Sequence, residues 1–333
     1  TEVLGKVDDP GVDVAIMIAK FEIPEVFPED VLGEADLIPA EVDPASLEGR
    51  TDFRDQAIVT IDGETAKDFD DAVRVERLPN GNFLLGVHIA DVSLYVKEGS
   101  RLDEEALERG TSVYFPERAV PMLPEKLSNG ICSLNPGVDR LVQSVVIEIS
   151  PKGRVVITNF HDGIIRSAAR MTYKNVWAIL EKRDPDTCRQ YEHLVPLFEN
   201  MRELYSILRQ RRHKRGSSDF DLPEPEILLD VEGVMTGVIA AERNVAHRII
   251  EEFMLMANEV VASYLAQLDV PSVYRVHDTP EDDKVEEFED LIAKFGYRLR
   301  ASNEKLRPKS FQKLLEKVEG QPEERFVSYL MLR

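Results

Sequence analysis

The first half of the chain carries alternating and short apolar runs, and the second half carries helical spacing. Ala57, Val59 and Ile61 alternate with mixed residues and predict a strand that delivers Asp62 at its end. A second strand is expected from about Asp70 to Leu78, and Pro79-Asn80-Gly81 is a hairpin turn into Phe83–Val92. Val145–Ser150, the turn Pro151-Lys152-Gly153 and Arg154–Ile165 predict another hairpin. Helices are expected over Lys174–Lys182, Cys188–Gln210, Asn244–Leu268, Pro280–Lys294, Pro308–Val318 and Glu323–Met331, with Ser272–Val276 a short strand among them. Strands first and helices later predict an α+β fold, a mixed or antiparallel sheet core flanked by helices. Before Arg50, prolines at 10, 24, 28, 39 and 44 suggest an extended lead-in, broken by a strand-like run Val14–Ile18. Arg211–Ser218, basic and then rich in small residues, reads as a loop beside Phe220, and no internal repeat is visible.

Composition narrows the picture. With 333 residues and 43% hydrophobic side chains, the chain has material for one large domain or two ordinary ones. No apolar run approaches the ~20 residues that cross a bilayer, so no membrane partner is expected. Thr1 stands where an initiator Met would, and no basic-then-apolar leader follows; the expectation is a piece of a longer cytoplasmic protein. Cys132 and Cys188 make neither a disulfide framework nor, alone, a zinc site. The net charge of −21 opposes nucleic-acid binding, which draws on a basic surface to replace phosphate counterions. Taken alone, it describes an acidic protein with hydrated charges.

The chemistry concentrates in Thr60–Val73, TIDGETAKDFDDAV, where Asp62, Asp68, Asp70 and Asp71 fall within ten residues just past a strand. Carboxylates this close repel one another unless a cation compensates them. Hard oxygen donors suit Mg²⁺, which keeps waters and leaves room for a substrate phosphate; phosphodiester hydrolysis fits such a centre. A solvated acidic loop remains the competing reading. A calcium loop lacks its alternating Asp spacing here, and helix capping would occupy one aspartate but not four.

Read with the blocks that follow it, the segment resembles the catalytic (RNB) domain of the ribonuclease II/ribonuclease R family. The other matching blocks are GVHIADVSLYV, SVYFPERAVPMLPEKLSNGICSLNP, ARMTYKNVW, NVAHRIIEEFMLMANE and YRVHD, in family order and nearer in wording to bacterial ribonuclease R. The resemblance places the catalytic domain at residues 50–333 and makes residues 1–49 the segment that joins cold-shock domains to it. It implies a processive, metal-dependent exoribonuclease that shortens single-stranded RNA from its 3′ end and releases nucleoside 5′-monophosphates. It further implies that Asp62, Asp68 and Asp71 hold Mg²⁺, one or two ions, and that Asp70 matters most to the chemical step. Tyr114 and Phe220 match aromatic residues that clamp the terminal bases, an attraction indifferent to sequence. Tyr173 matches a tyrosine tied to the choice of RNA over DNA, which differ in the ribose 2′-OH. Glu251 is implied near the terminal ribose.

On the helix expected over Asn244–Leu268, spacing alone fits a solvent-facing stripe, while the absence of lysine from that stripe suits a polar pocket wall. Asn244, His247, Arg248, Glu251 and Asn258 share one face, with Leu255 an exception; Ala246, Ile249, Ile250, Phe253, Ala257 and Val260 share the other. His88 and His277 read as structural hydrogen-bonding histidines. In the family, the position after Arg333 continues into a helix, an arginine-rich segment and an S1 domain, so the resemblance implies a C-terminally truncated domain that binds Mg²⁺ weakly and has little activity. A catalytically silent RNA-binding or scaffold protein and a metal-dependent DNA nuclease are the alternatives.

Overall fold

The computed structural model of the chain describes residues 3–6, 9–116, 118–217, 225–230, 234–274, 276, 279–299 and 307–332. Its strands are β1 (Thr51–Asp52), β2 (Val59–Asp62), β3 (Asp71–Arg77), β4 (Phe83–Ala90), β5 (Val113–Tyr114), β6 (Ala119–Val120), β7 (Asp139–Ile149), β8 (Val155–Arg166), β9 (Ala169–Thr172), β10 (Pro225–Leu229) and β11 (Met235–Ala240). β5–β6 and β10–β11 are separate hairpins, and the rest form one sheet in the order β1-β8-β7-β4-β3-β2-β9. The outer pairs β1–β8 and β2–β9 are parallel and the inner pairs antiparallel, the expected mixed sheet. The helices are α1 (Val12–Lys20), α2 (Glu29–Leu37), the single turn α3 (Val92–Tyr95), α4 (Arg101–Arg109), α5 (Tyr173–Trp177), α6 (Pro185–Gln190), α7 (Val195–Arg215), α8 (Val245–Gln267), α9 (Asp282–Ala293), α10 (Pro308–Val318) and α11 (Glu324–Met331).

Alternation along the strands sends one apolar set to each face of the sheet. Val73 and Val75 of β3, Leu85 and Val87 of β4 and Ile147 of β7 pack against Phe198, Met201 and Leu204 of α7 and Ile249 and Phe253 of α8. Ala72, Ala90 and Val142 point the other way, to Phe53, Ile58, Leu134 and Ile165. Each fully buried Leu, Ile or Phe in such a core contributes about 1.5–3 kcal/mol relative to an exposed one. Because both faces are covered, consecutive residues of β7 such as Leu141 and Val142 are buried on opposite sides, and the strand begins well before the expected Val145. Phe53 lies so close to β8 that a Cβ on Gly163 would sit 2.8 Å from its ring, which leaves that position to glycine.

The structure departs from the sequence pattern in several places. The lead-in before Arg50, expected to be extended, folds instead into the helices α1 and α2. Val14–Ile18 is not a strand but the middle of α1, where Val14 and Ile18, one turn apart, bury against Val120. Cys188–Gln210 is not one helix: Pro196 opens α7 in its first turn, and a tight turn over Glu192–Leu194 separates it from α6. Arg211–Arg215 belongs to the last turn of α7, where basic side chains meet the negative helix end, and Gly216 stops the helix at φ 101°. Ser272–Val276 forms no strand among the described residues; Val273 and Val276 are exposed and find no partner strand.

Candidate active site

Asp62 ends β2 and Asp71 opens β3, its antiparallel neighbour, so the loop over 63–70 begins and returns at the same end of the sheet. Asp68 and Asp70 lie on that loop, and β3 begins at Asp71, one residue after the expected start. β9 flanks the site on the far side of β2, with Thr172 opposite Asp62 and Arg170 opposite Thr60. Tyr173 follows directly, at the start of α5, whose first turn is capped by the Thr172 hydroxyl accepting from the Asn175 backbone N–H. The centre is therefore assembled by strand pairing between segments about a hundred residues apart.

The carboxylates feel one another. Burial, and next the charge of Asp71, push the Asp62 carboxyl up to about 7; Asp68 and Asp70 add to this while Arg170 opposes it. Asp70 is raised by the protein around it and then by Asp68, although its surface stays open to solvent, so it keeps access while losing hydration. Asp71 is raised by burial and then by Asp70. The Oδ2 atom of Asp62 is buried with no hydrogen-bond partner among the described residues. Burial, with the Asp70 charge nearby, pushes the Cys132 thiol up to about 12, so it stays a protonated thiol there.

These four groups share a field but not a ready-made coordination sphere. Among the described residues no three carboxylate, imidazole or thiol groups converge closely enough to hold a metal ion. Repulsion between uncompensated charges acts against such convergence, and Asp68 is turned toward Tyr114, whose hydroxyl donates to its Oδ2 at 2.7 Å. The donor set nevertheless fits Mg²⁺: hard oxygens, raised carboxyls that a cation would relieve, and an orphaned buried oxygen on Asp62.

Around the acidic centre the remaining expected residues fall as follows. Tyr114 is 67% exposed, its ring face open to a stacking partner. Tyr173 stacks on His247 with ring centroids 3.8 Å apart, and burial, then Asp62 and Asp71, push its hydroxyl up to about 12. Asn244 caps α8 by accepting from the Ala246 N–H, which fixes the polar face of that helix toward Tyr173. Glu251, one turn past His247, pairs with Arg243 and lies 3.9 Å from Arg212, on the wall of a cavity of about 370 Å³ between α7, α8, α10 and α11. None of the four aspartates lines that cavity. His88 is buried against Ser144, as expected of a structural histidine. Phe220 and His277 lie outside the described residues.

Sequence reading missed three contributors. Arg170 donates from Nη2 to the carbonyls of Gly63 at 2.9 Å and Glu64 at 2.6 Å. Ser133, fully buried, accepts from the Phe69 N–H at 3.0 Å and donates to the Lys67 carbonyl at 2.9 Å. Glu252 is buried on the apolar side of α8 and paired with Arg212 at 2.7 Å. Arg170 sits inside a quoted motif, but its partners follow only from the β2–β9 pairing, which no local pattern announces.

Residues 50–333 match the RNB domain. Ribonuclease R of Thermotoga maritima is 48% identical over the whole of this chain, which covers 47% of that protein. Ribonuclease R of Mycoplasma genitalium, solved with ribose-methylated single-stranded RNA, superposes with a TM-score of 0.92 at 29% identity, covering 100% of this chain and 52% of that one. Yeast Ssd1, a pseudonuclease, shares the fold with a TM-score of 0.74 at 20% identity, covering 99% of this chain and 40% of its own. The chain thus spans about half the length of the curated relatives it matches. With the acidic sheet end, the flanking tyrosines and the match over residues 50–333 together, the chain belongs to the RNB domain family.

Proposed function

We propose that this chain is the catalytic part of a Mg²⁺-dependent hydrolytic exoribonuclease, one that works in the cytoplasm and shortens single-stranded RNA processively from its 3′ end to nucleoside 5′-monophosphates. The observation that carries the reading is the end of β2 and β3, where Asp62 keeps a buried, unpartnered oxygen beside three further carboxylates. Asp62, Asp68 and Asp71 would hold the ion, and Asp70, the most open of the four, faces the reacting phosphate. When bound, Mg²⁺ supplies the positive charge that a phosphodiester and its attacking water require. Tyr114 stacks on the terminal base, and its hydroxyl keeps Asp68 oriented. Tyr173, held flat by His247, presents its hydroxyl where a ribose 2′-OH distinguishes RNA from DNA. Glu251, on the arginine-lined wall of the cavity between α7, α8, α10 and α11, would lie near the terminal ribose. Because no three ligands among the described residues converge without a cation, the chain by itself is expected to bind Mg²⁺ weakly and to turn over slowly.

The competing reading is a domain that keeps the fold and binds RNA without cleaving it, an alternative raised by yeast Ssd1, a pseudonuclease of the same fold. RNA labelled at either end separates the two. The exonuclease reading predicts stepwise shortening of 5′-labelled RNA with Mg²⁺, 5′-monophosphates from 3′-labelled RNA, and no products with EDTA. Binding without products at any Mg²⁺ concentration, in the full-length protein, establishes the silent reading instead.

A further inference from the structure

The loop over 63–70 carries two of the four aspartates and joins the strands that carry the other two, so its shape decides whether they can meet. It contributes little apolar packing of its own: Gly63, Glu64, Thr65 and Lys67 are exposed, Ala66 is half-buried, and only Phe69 is buried. Its backbone is instead held from two sides. On one side Arg170 of β9 reaches three carbonyls with one nitrogen, Gly63, Glu64 and, at 3.4 Å, Ala66, while its guanidinium carbon lies 5.4 Å from the Phe69 ring centroid. On the other side Ser133 bonds the Lys67 carbonyl and the Phe69 N–H, and the Leu134 N–H donates to the Phe69 carbonyl at 2.9 Å. Ser133 is fixed in turn by Arg140, whose Nε donates to the Ser133 carbonyl at 2.8 Å. Asp68 is thus bracketed by anchored neighbours while its side chain accepts from Tyr114.

We propose that Arg170 is a positioning residue for the acidic centre: by tying the carbonyls of Gly63, Glu64 and Ala66 to β9, it holds the loop so that Asp68 and Asp62 can share one cation. The inference rests on the metal-centre reading above. A guanidinium suits the task because it is planar, permanently charged and able to stack and donate together; lysine offers a point charge that can satisfy a carbonyl but not lie against Phe69. Groups that orient ligands in this way control metal affinity more than substrate affinity.

The test uses the full-length protein with Arg170→Gln, Arg170→Lys and Ser133→Ala. Mg²⁺ titration calorimetry without RNA, binding of a 3′-tailed RNA in EDTA, and RNA shortening over a Mg²⁺ series are measured for each. Arg170→Gln is expected to weaken Mg²⁺ binding by about tenfold and to move the half-saturating Mg²⁺ concentration by the same factor, with RNA affinity in EDTA unchanged. Arg170→Lys should fall between Arg170→Gln and wild type. A lowered melting temperature and maximal rate with an unmoved Mg²⁺ midpoint would show a merely structural role and overturn the inference. If Arg170→Gln does not fold, Arg170→Lys and Ser133→Ala carry the same comparison. A wild type that binds Mg²⁺ and shortens RNA beside variants with identical midpoints overturns this inference alone; a wild type that does neither overturns the metal-centre reading and this inference with it.

Discussion

His88 makes the sheet under the acidic centre sensitive to pH, and replacing it with asparagine exposes the effect. The ring is 1% exposed on β4, with Nδ1 2.8 Å from the Ser144 hydroxyl, an edge-on contact with Phe53, and Nε2 buried without a partner among the described residues. Burial, then the charges of Arg74 and His161, lower its pKa from 6.5 to about 3. The native state therefore keeps it neutral, whereas the unfolded chain takes up a proton below about pH 6.5. Its contribution is fully present above the unfolded value and is lost as pH falls from there toward the folded value. At about pH 5.5, one unit below the unfolded value, wild type should have lost about 1.4 kcal/mol relative to about pH 7.5 that His88→Asn does not lose. That pH stays above the isoelectric point of about 4.8, so the protein remains negatively charged. Urea unfolding of both proteins at the two pH values gives the number; the packing cost of the substitution is the same at each pH and cancels. Parallel stability curves would refute the account of His88 as a buried neutral ring.

Three further outcomes follow from particular contacts. Tyr114→Ala should weaken binding of a 3′-tailed RNA by about 1–3 kcal/mol in fluorescence anisotropy with EDTA, while Tyr114→Phe keeps the ring and binds as wild type. Equal loss in both would place the Tyr114 contribution in its bond to Asp68 rather than in stacking. Arg50 and Asp91, with side chains 11% and 5% exposed and 2.6 Å apart, tie the chain before β1 to the sheet. Arg50→Met leaves Asp91 buried and without that partner and should cost about 3–5 kcal/mol in urea unfolding, a cost that Asp91→Asn in the same chain partly relieves. Tyr173→Phe should narrow the preference for RNA over DNA oligonucleotides by about fivefold, the worth of one hydrogen bond, without moving RNA shortening by as much.

The parts of this fold that were legible in the sequence are those whose cause is local. The turn Pro79-Asn80-Gly81, the strand β3 and the long helix α8 all appear where their residues predict them. Val14–Ile18 misled because five apolar-rich residues fit a strand or a helix face equally, and only contact with Val120 selects the helix. β9 and the β5–β6 hairpin, too short to show a period, were invisible, although they carry Arg170 and Tyr114. The candidate site divides the same way. Composition of the aspartate loop was plain in the residues, but the Asp68–Tyr114 bond and the two-sided hold on the loop depend on pairing between distant segments. The polar stripe of α8 was legible as a stripe; that His247 would lie flat on Tyr173 was not.

The central claim concerns Asp70 and its three neighbours, and one comparison tests it most directly. Full-length wild type and Asp70→Asn are given the same 5′-labelled single-stranded RNA with Mg²⁺, and both shortening and binding are followed. The account predicts stepwise 3′-end shortening by wild type, loss of that shortening by several orders of magnitude in Asp70→Asn, and equal RNA affinity in the two. Equal shortening by both proteins would contradict it.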